Sequence, residues 1–206
     1  MKTKNTMPVL LTALVMVAML VIAGCSKDNE VELREAETAQ AGQEFLPEGS
    51  QLKSSHADQN KILAEIRRAT AKYHDIDAAF DDGYIIGSPC VESGAGGMGF
   101  HLINPALFNG EVNPDQPEAL VYEPMKNGRM RLVAIEFIIP YPLWDAENGL
   151  PMLGSQPYDD MPFFPEPLGP NYQLHVWVWK NNPLGIYAPF NPTVSCDFAG
   201  AADLGN

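Results

Sequence analysis

Two β-rich segments joined by an Asn-Gly turn place the strongest constraint on how this chain can fold. Ala119–Glu123 and Arg131–Ile139 are rich in aliphatic and β-branched side chains, and the segment between them contains Asn127-Gly128. Asn-Gly favours the positive φ angles of a tight hairpin turn. The chain is therefore predicted to contain an antiparallel hairpin at its centre.

An amphipathic helix is predicted ahead of the strands. Its apolar residues recur at alternating steps of four and three, the spacing of one helix face. They are Ile62, Ile66, Ala69, Tyr73, Ile76 and Phe80. Ser55 or Asp58 can cap the start of this helix, and Gly83 can supply the left-handed residue that ends it.

Two more strands are predicted, at Gln173–Lys180 and, more weakly, at Gly99–Asn104. Because only one helix accompanies these strands, alternating βαβ units are absent from the pattern. The predicted fold class is α+β, with a mostly antiparallel β-sheet and one N-terminal amphipathic helix packed on one face.

A proline-rich segment interrupts the strand pattern between Pro140 and Pro170, where eight of the 18 prolines of the chain occur. This density excludes a helix interior or a central strand. The segment also contains Trp144, Tyr158 and Phe163, which argue against disorder. We expect a long ordered loop that lies on the sheet.

The N-terminus has the order of a signal peptide, with Lys2 and Lys4 ahead of an apolar run. The run closes on Ile22-Ala23-Gly24-Cys25, which resembles the lipobox of bacterial lipoproteins. The resemblance implies that residues 1–24 are a lipoprotein signal peptide and that Cys25 is the lipid attachment site, which would anchor the protein to a membrane. An uncleaved helix over residues 7–23 is the alternative.

The residues after Cys25 bear on the destination of the protein. Ser26 stands where an Asp would resemble an inner-membrane retention signal, which favours the outer membrane. Lys27, Asp28 and Glu30 resemble a short signal for export to the cell surface, but a plain hydrophilic spacer explains them equally well. Residues 25–54 are predicted to be an acidic flexible tether, and the protein faces either the periplasm or the cell surface.

Composition limits the remaining choices. The formal net charge is −13 and 46% of the residues are hydrophobic. A chain this acidic is a poor partner for nucleic acid, because contacts to the phosphate backbone come mainly from Lys and Arg. We expect one globular α+β domain over residues 55–206 and no binding to nucleic acid.

With Cys25 assigned to lipid, two cysteines remain. Outside the cytoplasm, Cys90 and Cys196 are expected to form a disulfide. Two separately buried thiols are one alternative. A catalytic thiol next to His101 or His175 is another.

Strand alternation predicts which side chains share a face of the sheet. On the second hairpin strand it places four apolar residues on one face: Val133, Ile135, Phe137 and Ile139. It places Glu136 on the opposite face, together with Leu132, Ala134 and Ile138. On the last strand, His175, Trp177 and Trp179 share a face. An aromatic sheet face that is open to water suggests a binding surface, so the leading hypothesis is that His175, Trp177 and Trp179 bind a small molecule or another envelope component.

The alternative is a metal-dependent enzyme. Two histidines and a carboxylate on one rigid sheet, His101, Glu136 and His175, resemble the ligand set of sites that bind a divalent metal ion and keep a position open. The chain contains no HxH or HExxH spacing that would support this alternative independently. A purely structural envelope protein is a third possibility.

Several segments resemble a family of uncharacterised exported bacterial proteins. They are residues 88–91 (SPCV), 97–101 (GMGFH), 104–107 (NPAL), 132–137 (LVAIEF), 174–179 (LHVWVW), 182–183 (NP), 188–192 (APFNP) and 195–196 (SC). The resemblance implies an exported single domain that ends near Cys196. It implies no chemistry for any residue.

Overall fold

The structure is a computed structural model that describes residues 48–202, with the side chains of the first helix described from Ser55 onward. The predicted signal peptide at residues 1–24, the lipid attachment at Cys25 and the tether as far as residue 47 lie outside the described residues. Residues 48–54, which the sequence analysis assigns to the tether, belong to the first helix.

Three helical segments take the place of the single helix predicted from the sequence. Helix α1 spans Glu48–Thr70, a 3₁₀ turn spans Ala71–His74, and α2 spans Ile76–Asp81. The prediction of one continuous helix up to Gly83 is therefore wrong between α1 and α2. Within residues 48–202, no helix has both the length and the apolar character that crossing a membrane requires.

Two side chains explain the break. The Thr70 hydroxyl donates a 2.7 Å hydrogen bond to the carbonyl of Ile66, a contact that competes with regular helix geometry. The Asp75 carboxylate then accepts a 3.2 Å hydrogen bond from the backbone N–H of Asp77, which caps the start of α2. The break does not move the apolar residues out of the core: Ile66 before it and Tyr73 within the 3₁₀ turn are both buried.

The rest of the described chain is mostly antiparallel sheet. In chain order the strands are β1 (Ile85–Ile86), β2 (Val91–Ser93), β3 (Gly96–Ile103), β4 (Ala119–Pro124), β5 (Met130–Pro140), β6 (Met152–Leu153), β7 (Gln156–Pro157), β8 (Asp159–Met161) and β9 (Asn171–Val176). The main sheet has the order β1-β3-β4-β5-β9-β8, with β2 paired to β3, and every pair is antiparallel. The prediction of a mostly antiparallel sheet is confirmed, and a few helical segments accompany the sheet.

One extra residue in β5 changes which side chains face the core. Val121 pairs with Ala134 and Tyr122 pairs with Leu132, so Val133 has no partner in β4 and forms a β-bulge. Leu132 consequently joins the core beside the helices, whereas Val133 and Ala134 lie in a smaller cluster on the opposite face. The predicted positions of Leu132 and Val133 are reversed, because strict alternation cannot anticipate a bulge.

The two faces of the sheet differ in character. The helix-side face holds the main core, where Ile66 of α1 belongs to the same buried cluster as Leu120, Phe137 and Leu174. Complete burial of each such side chain contributes about 1.5–3 kcal/mol. The opposite face, here called the polar face, carries Glu136 and His175 in addition to the smaller apolar cluster. The candidate functional residues Glu136 and His175 therefore lie on the polar face.

The proline-rich segment is built from short elements. It contains 3₁₀ turns at Tyr141–Leu143 and Ala146–Asn148, followed by the β6–β7 pair. It then supplies β8, which lies beside β9 at the edge of the main sheet. Tyr158, directly before β8, is buried in the main core. This segment thus extends the sheet and contributes to its core.

The predicted disulfide between Cys90 and Cys196 is confirmed. The S–S distance is 2.03 Å and the Cα atoms are 5.8 Å apart. The bond connects the segment between β1 and β2 to the C-terminal part of the described chain.

Candidate metal centre

The sheet brings His101, Glu136 and His175 together from three different strands. Glu136 of β5 pairs directly with His175 of β9. His101 lies on β3, on the far side of β4, where Val121 is its partner and Ala119 is the partner of Glu136. Paired residues share a face of the sheet. Only the short side chains of Val121 and Ala119 on β4 therefore lie between His101 and Glu136. This spacing allows the imidazole of His101 to reach across β4.

The three side chains are close enough to share one ion. Nε2 of His101 lies 3.4 Å from Nε2 of His175 and 3.5 Å from Oε2 of Glu136. One ligand atom from each residue can be chosen so that all lie within 4.8 Å of one another. A tetrahedral ion with bonds of about 2.1 Å would separate neighbouring ligand atoms by about 3.4 Å. The group could therefore hold a metal ion.

Burial dominates the electrostatics of this cluster. Loss of solvation lowers the pKa of His101 to about 4. Burial, with a smaller contribution from His101, lowers the pKa of His175 to about 3. Burial, with a smaller contribution from Glu118, raises the pKa of Glu136 to about 8. At neutral pH the imidazoles are uncharged, the form in which a nitrogen lone pair can bind a metal.

A carboxylate oxygen of Glu136 also faces the other ring nitrogen of His175. Oε1 of Glu136 lies 3.3 Å from Nδ1 of His175. A carboxylate next to the ring nitrogen that does not bind the metal fixes the orientation of many metal-binding histidines. Glu136 is thus placed to offer Oε2 as a ligand and to orient His175 through Oε1.

The aromatic residues predicted to share a face with His175 separate in the structure. Strand β9 ends at Val176. Trp177 remains on the polar face, with its ring stacked 6.4 Å from that of His175 and its indole N–H donating to the carbonyl of Ala188. Trp179 packs against the main core instead, 4.4 Å from the ring of His74. The predicted single face of His175, Trp177 and Trp179 is therefore wrong for Trp179.

The two tryptophans nevertheless border one surface cleft of about 320 Å³. Arg67, Lys180 and Asn182 also line it. Trp177 is almost fully buried, so it offers only a small part of its surface to this cleft. The cleft combines apolar surface with polar groups, as small-ligand sites commonly do.

Two polar residues near the centre were not identified from the sequence. The hydroxyl of Ser88 lies 3.0 Å from Nδ1 of His101. Glu118 is buried directly before β4, and its carboxylate accepts a 3.0 Å hydrogen bond from the backbone N–H of Ile138. Neither residue has a spacing that links it to the histidines. For Ser88 the only sequence signal is its position two residues before Cys90.

Comparisons of the chain with protein-family models, with curated proteins and with solved structures find no match. The geometry described above is accordingly the basis for assigning a function. The buried cluster of His101, Glu136 and His175 points to a specific kind of ligand, a metal ion, whereas the cleft does not specify the chemistry of its ligand.

Proposed function

We propose that this protein binds one divalent transition-metal ion through His101, Glu136 and His175. The observation that carries the proposal is the convergence of two imidazole nitrogens and a carboxylate oxygen within 4.8 Å of one another. These groups come from three strands of one sheet, so their separations are held by backbone pairing rather than by flexible loops.

The charges around His101, Glu136 and His175 also favour a bound metal cation. Among the residues with described side chains, no Lys or Arg forms an ion pair with Glu136. A buried carboxylate without a cationic partner is costly, and burial accordingly raises the pKa of Glu136 to about 8. A bound divalent ion would replace the proton that this carboxyl group otherwise holds at neutral pH. The two neutral imidazoles would complete a mixed nitrogen and oxygen ligand set suited to zinc or iron(II).

Three protein ligands leave at least one coordination position open. In zinc enzymes and in non-haem iron enzymes, that position holds a water molecule or the substrate. We infer that the protein is a metal-dependent enzyme that acts on a small molecule. This inference extends the metal-binding proposal and depends on it.

Metal analysis of the full-length protein, purified in detergent without a histidine tag, tests the proposal. We expect about one equivalent of metal after incubation with zinc or iron(II), and loss of this metal in His101→Ala and His175→Ala. His74→Ala is the matched control, because His74 contacts Trp179 and lies outside the cluster. A wild-type protein that stays metal-free after incubation with zinc, iron, copper and manganese would overturn the proposal.

A second candidate function is the binding of a small ligand in the cleft bordered by Trp177 and Trp179. It is supported by the cleft volume of about 320 Å³ and by the polar side chains of Arg67 and Asn182 at its wall. A fragment screen by crystallography is the direct test. We expect fragments to occupy the cleft and to be lost in Trp179→Ala, and an empty cleft throughout the screen would exclude this function.

We further propose that the protein is anchored through lipid on Cys25 to the outer membrane, facing either the periplasm or the cell surface. The support is the sequence Ile22-Ala23-Gly24-Cys25 at the end of an apolar run. Intact mass of protein from native membranes should show a chain that begins at an acylated Cys25. Cys25→Ser should accumulate as an uncut precursor, and an unmodified chain beginning at Met1 would refute the anchor.

A further inference from the structure

A serine hydroxyl outside the three-residue cluster contacts His101 at two points. Oγ of Ser88 lies 3.0 Å from Nδ1 of the imidazole and 3.3 Å from the backbone nitrogen of the same residue. It also lies 2.9 Å from the carbonyl oxygen of Pro89. All three contacts can be hydrogen bonds at once in one arrangement of the hydrogen atoms.

A hydroxyl has one proton to donate and two lone pairs that accept. The carbonyl of Pro89 can only accept, so it receives the hydroxyl proton. The backbone N–H of His101 can only donate, so it occupies one lone pair. In the arrangement that satisfies all three contacts, the remaining lone pair faces Nδ1, which then carries a hydrogen and donates it to Oγ.

We propose that Ser88 is a positioning residue that holds His101 in the tautomer with the proton on Nδ1. In a neutral imidazole the other nitrogen then carries the lone pair. That nitrogen is Nε2, the atom that lies 3.4 Å from His175 and 3.5 Å from Glu136. This inference rests on the proposed function, because the tautomer it assigns is the one in which Nε2 of His101 is a metal ligand.

The segment that carries Ser88 is itself fixed on both sides. The backbone N–H groups of Gly87 and Ser88 both donate to the carbonyl of His101, at 2.8 and 3.3 Å. On the other side, Pro89 restricts the backbone and Cys90 is joined by the disulfide to Cys196. Ser88 is therefore held against His101 before any ion binds. Pre-arranged partners of this kind typically change metal affinity about 10- to 100-fold.

The test compares Ser88→Ala with Ser88→Thr in the full-length protein. Alanine removes the hydroxyl, whereas threonine retains it. Zinc affinity, measured by competition with a chelator, should fall about 10- to 100-fold for Ser88→Ala and stay within about threefold of wild type for Ser88→Thr. Ser93→Ala is the matched control, since Ser93 lies on β2 and its hydroxyl accepts from the backbone of Ala95.

Nitrogen-15 NMR of the metal-free protein gives a readout that does not depend on zinc. The imidazole signals of His101, assigned by their loss in His101→Ala, should show the proton on Nδ1 in wild type and a mixture of tautomers in Ser88→Ala. A proton on Nε2 in wild type would overturn the inference, as would unchanged tautomer and zinc affinity in Ser88→Ala. If wild type binds no metal, the proposed function fails, whereas the assignment of Ser88 is still decided by the tautomer.

Discussion

Two buried carboxylates on neighbouring strands have opposite surroundings. Glu123 of β4 accepts hydrogen bonds from Lys180, at 2.7 and 2.8 Å to its two oxygens, and from the guanidinium of Arg131. Glu136 of β5 faces two imidazoles instead. The first carboxylate is thus balanced by two cations of the protein itself, and the second is not.

This difference suggests different roles for the Glu123 cluster (with Lys180 and Arg131) and the Glu136 cluster (with His101 and His175). Ion pairing makes the Glu123 cluster complete once the chain has folded, so its role is to stabilise the structure. The Glu136 cluster needs a proton or a metal ion to complete it, since the described side chains give its carboxylate no Lys or Arg partner. Leaving a buried carboxylate in this state lowers stability and is typical of functional sites. The following variants test this distinction.

The largest effect is expected from removal of the disulfide, because the C-terminal segment that it anchors contacts the Glu123 cluster and is joined through Cys90 to the segment that carries Ser88. This segment carries Thr193, whose carbonyl accepts from Lys180, and Cys196, which is bonded to Cys90. The sequence separation of the two cysteines is 106, for which the chain-entropy model gives about 4 to 5 kcal/mol. The double variant Cys90→Ala/Cys196→Ala should lose about this much free energy of unfolding in guanidinium chloride. A loss below about 1 kcal/mol would show that other contacts hold the segment in place.

Glu136→Gln should separate metal binding from folding. The amide keeps the shape of the side chain but removes the negative charge, so affinity for zinc should fall at least about 100-fold. The metal-free variant should be no less stable than wild type, because an uncharged amide avoids the cost of burying a carboxylate. Titration calorimetry and thermal unfolding measure the two quantities. Retained zinc affinity would remove Glu136 from the ligand set.

Glu123→Gln should produce the reverse pattern. Lys180 is largely buried, with its side chain 17% exposed, so the loss of its anionic partner should lower the free energy of unfolding by about 2 kcal/mol. Zinc affinity should stay within about threefold of wild type. Urea unfolding combined with a zinc titration checks both expectations. An equal loss of zinc affinity in the two glutamine variants would mean that the clusters are not independent.

A third buried carboxyl group should give an effect that depends on pH. Burial raises the pKa of Glu118 from 4.5 to about 8. The unfolded chain releases this proton near pH 4.5, whereas the folded protein keeps it up to about pH 8, so the contribution of this group to stability falls as pH rises through that window. Glu118→Gln cannot titrate and should gain about 1 to 3 kcal/mol over wild type between pH 5 and pH 8.

Urea unfolding of the metal-free protein at several pH values measures this gain. Exposed Glu147→Gln serves as the control, and its pH dependence should follow that of wild type. If Glu118→Gln does the same, the carboxyl group of Glu118 is not held in its neutral form.

Local sequence patterns were sufficient for the hairpin and for part of the site. The Asn127-Gly128 turn predicted the pairing of β4 with β5, and alternation placed Glu136 opposite the core residues Phe137 and Ile139. His175 was likewise assigned to the face opposite Leu174. These inferences succeeded because they depend on neighbours within a few residues.

The bulge in β5 and the end of β9 depend on distant strand partners and could not be predicted. The bulge at Val133 and the end of β9 are linked, because the backbone N–H groups of Trp179 and Lys180 both donate to the carbonyl of Val133. This contact draws the chain out of the strand after Val176 and sends Trp179 towards the helices. Which residue of β5 bulges is decided by pairing with two other strands, so one sequence window contains no signal for it.

The candidate metal centre is assembled from strands far apart in the chain. His101 and His175 are separated by 74 residues, and β4 and β5 must pair between β3 and β9 before these two rings can meet. Because the three side chains meet only when these strands are paired, an unfolded or newly emerging chain has no preformed site to capture an ion. If the proposed metal binding and export are both correct, the ions present in the compartment where the sheet is completed, and not those where the chain is synthesised, decide which metal the protein acquires.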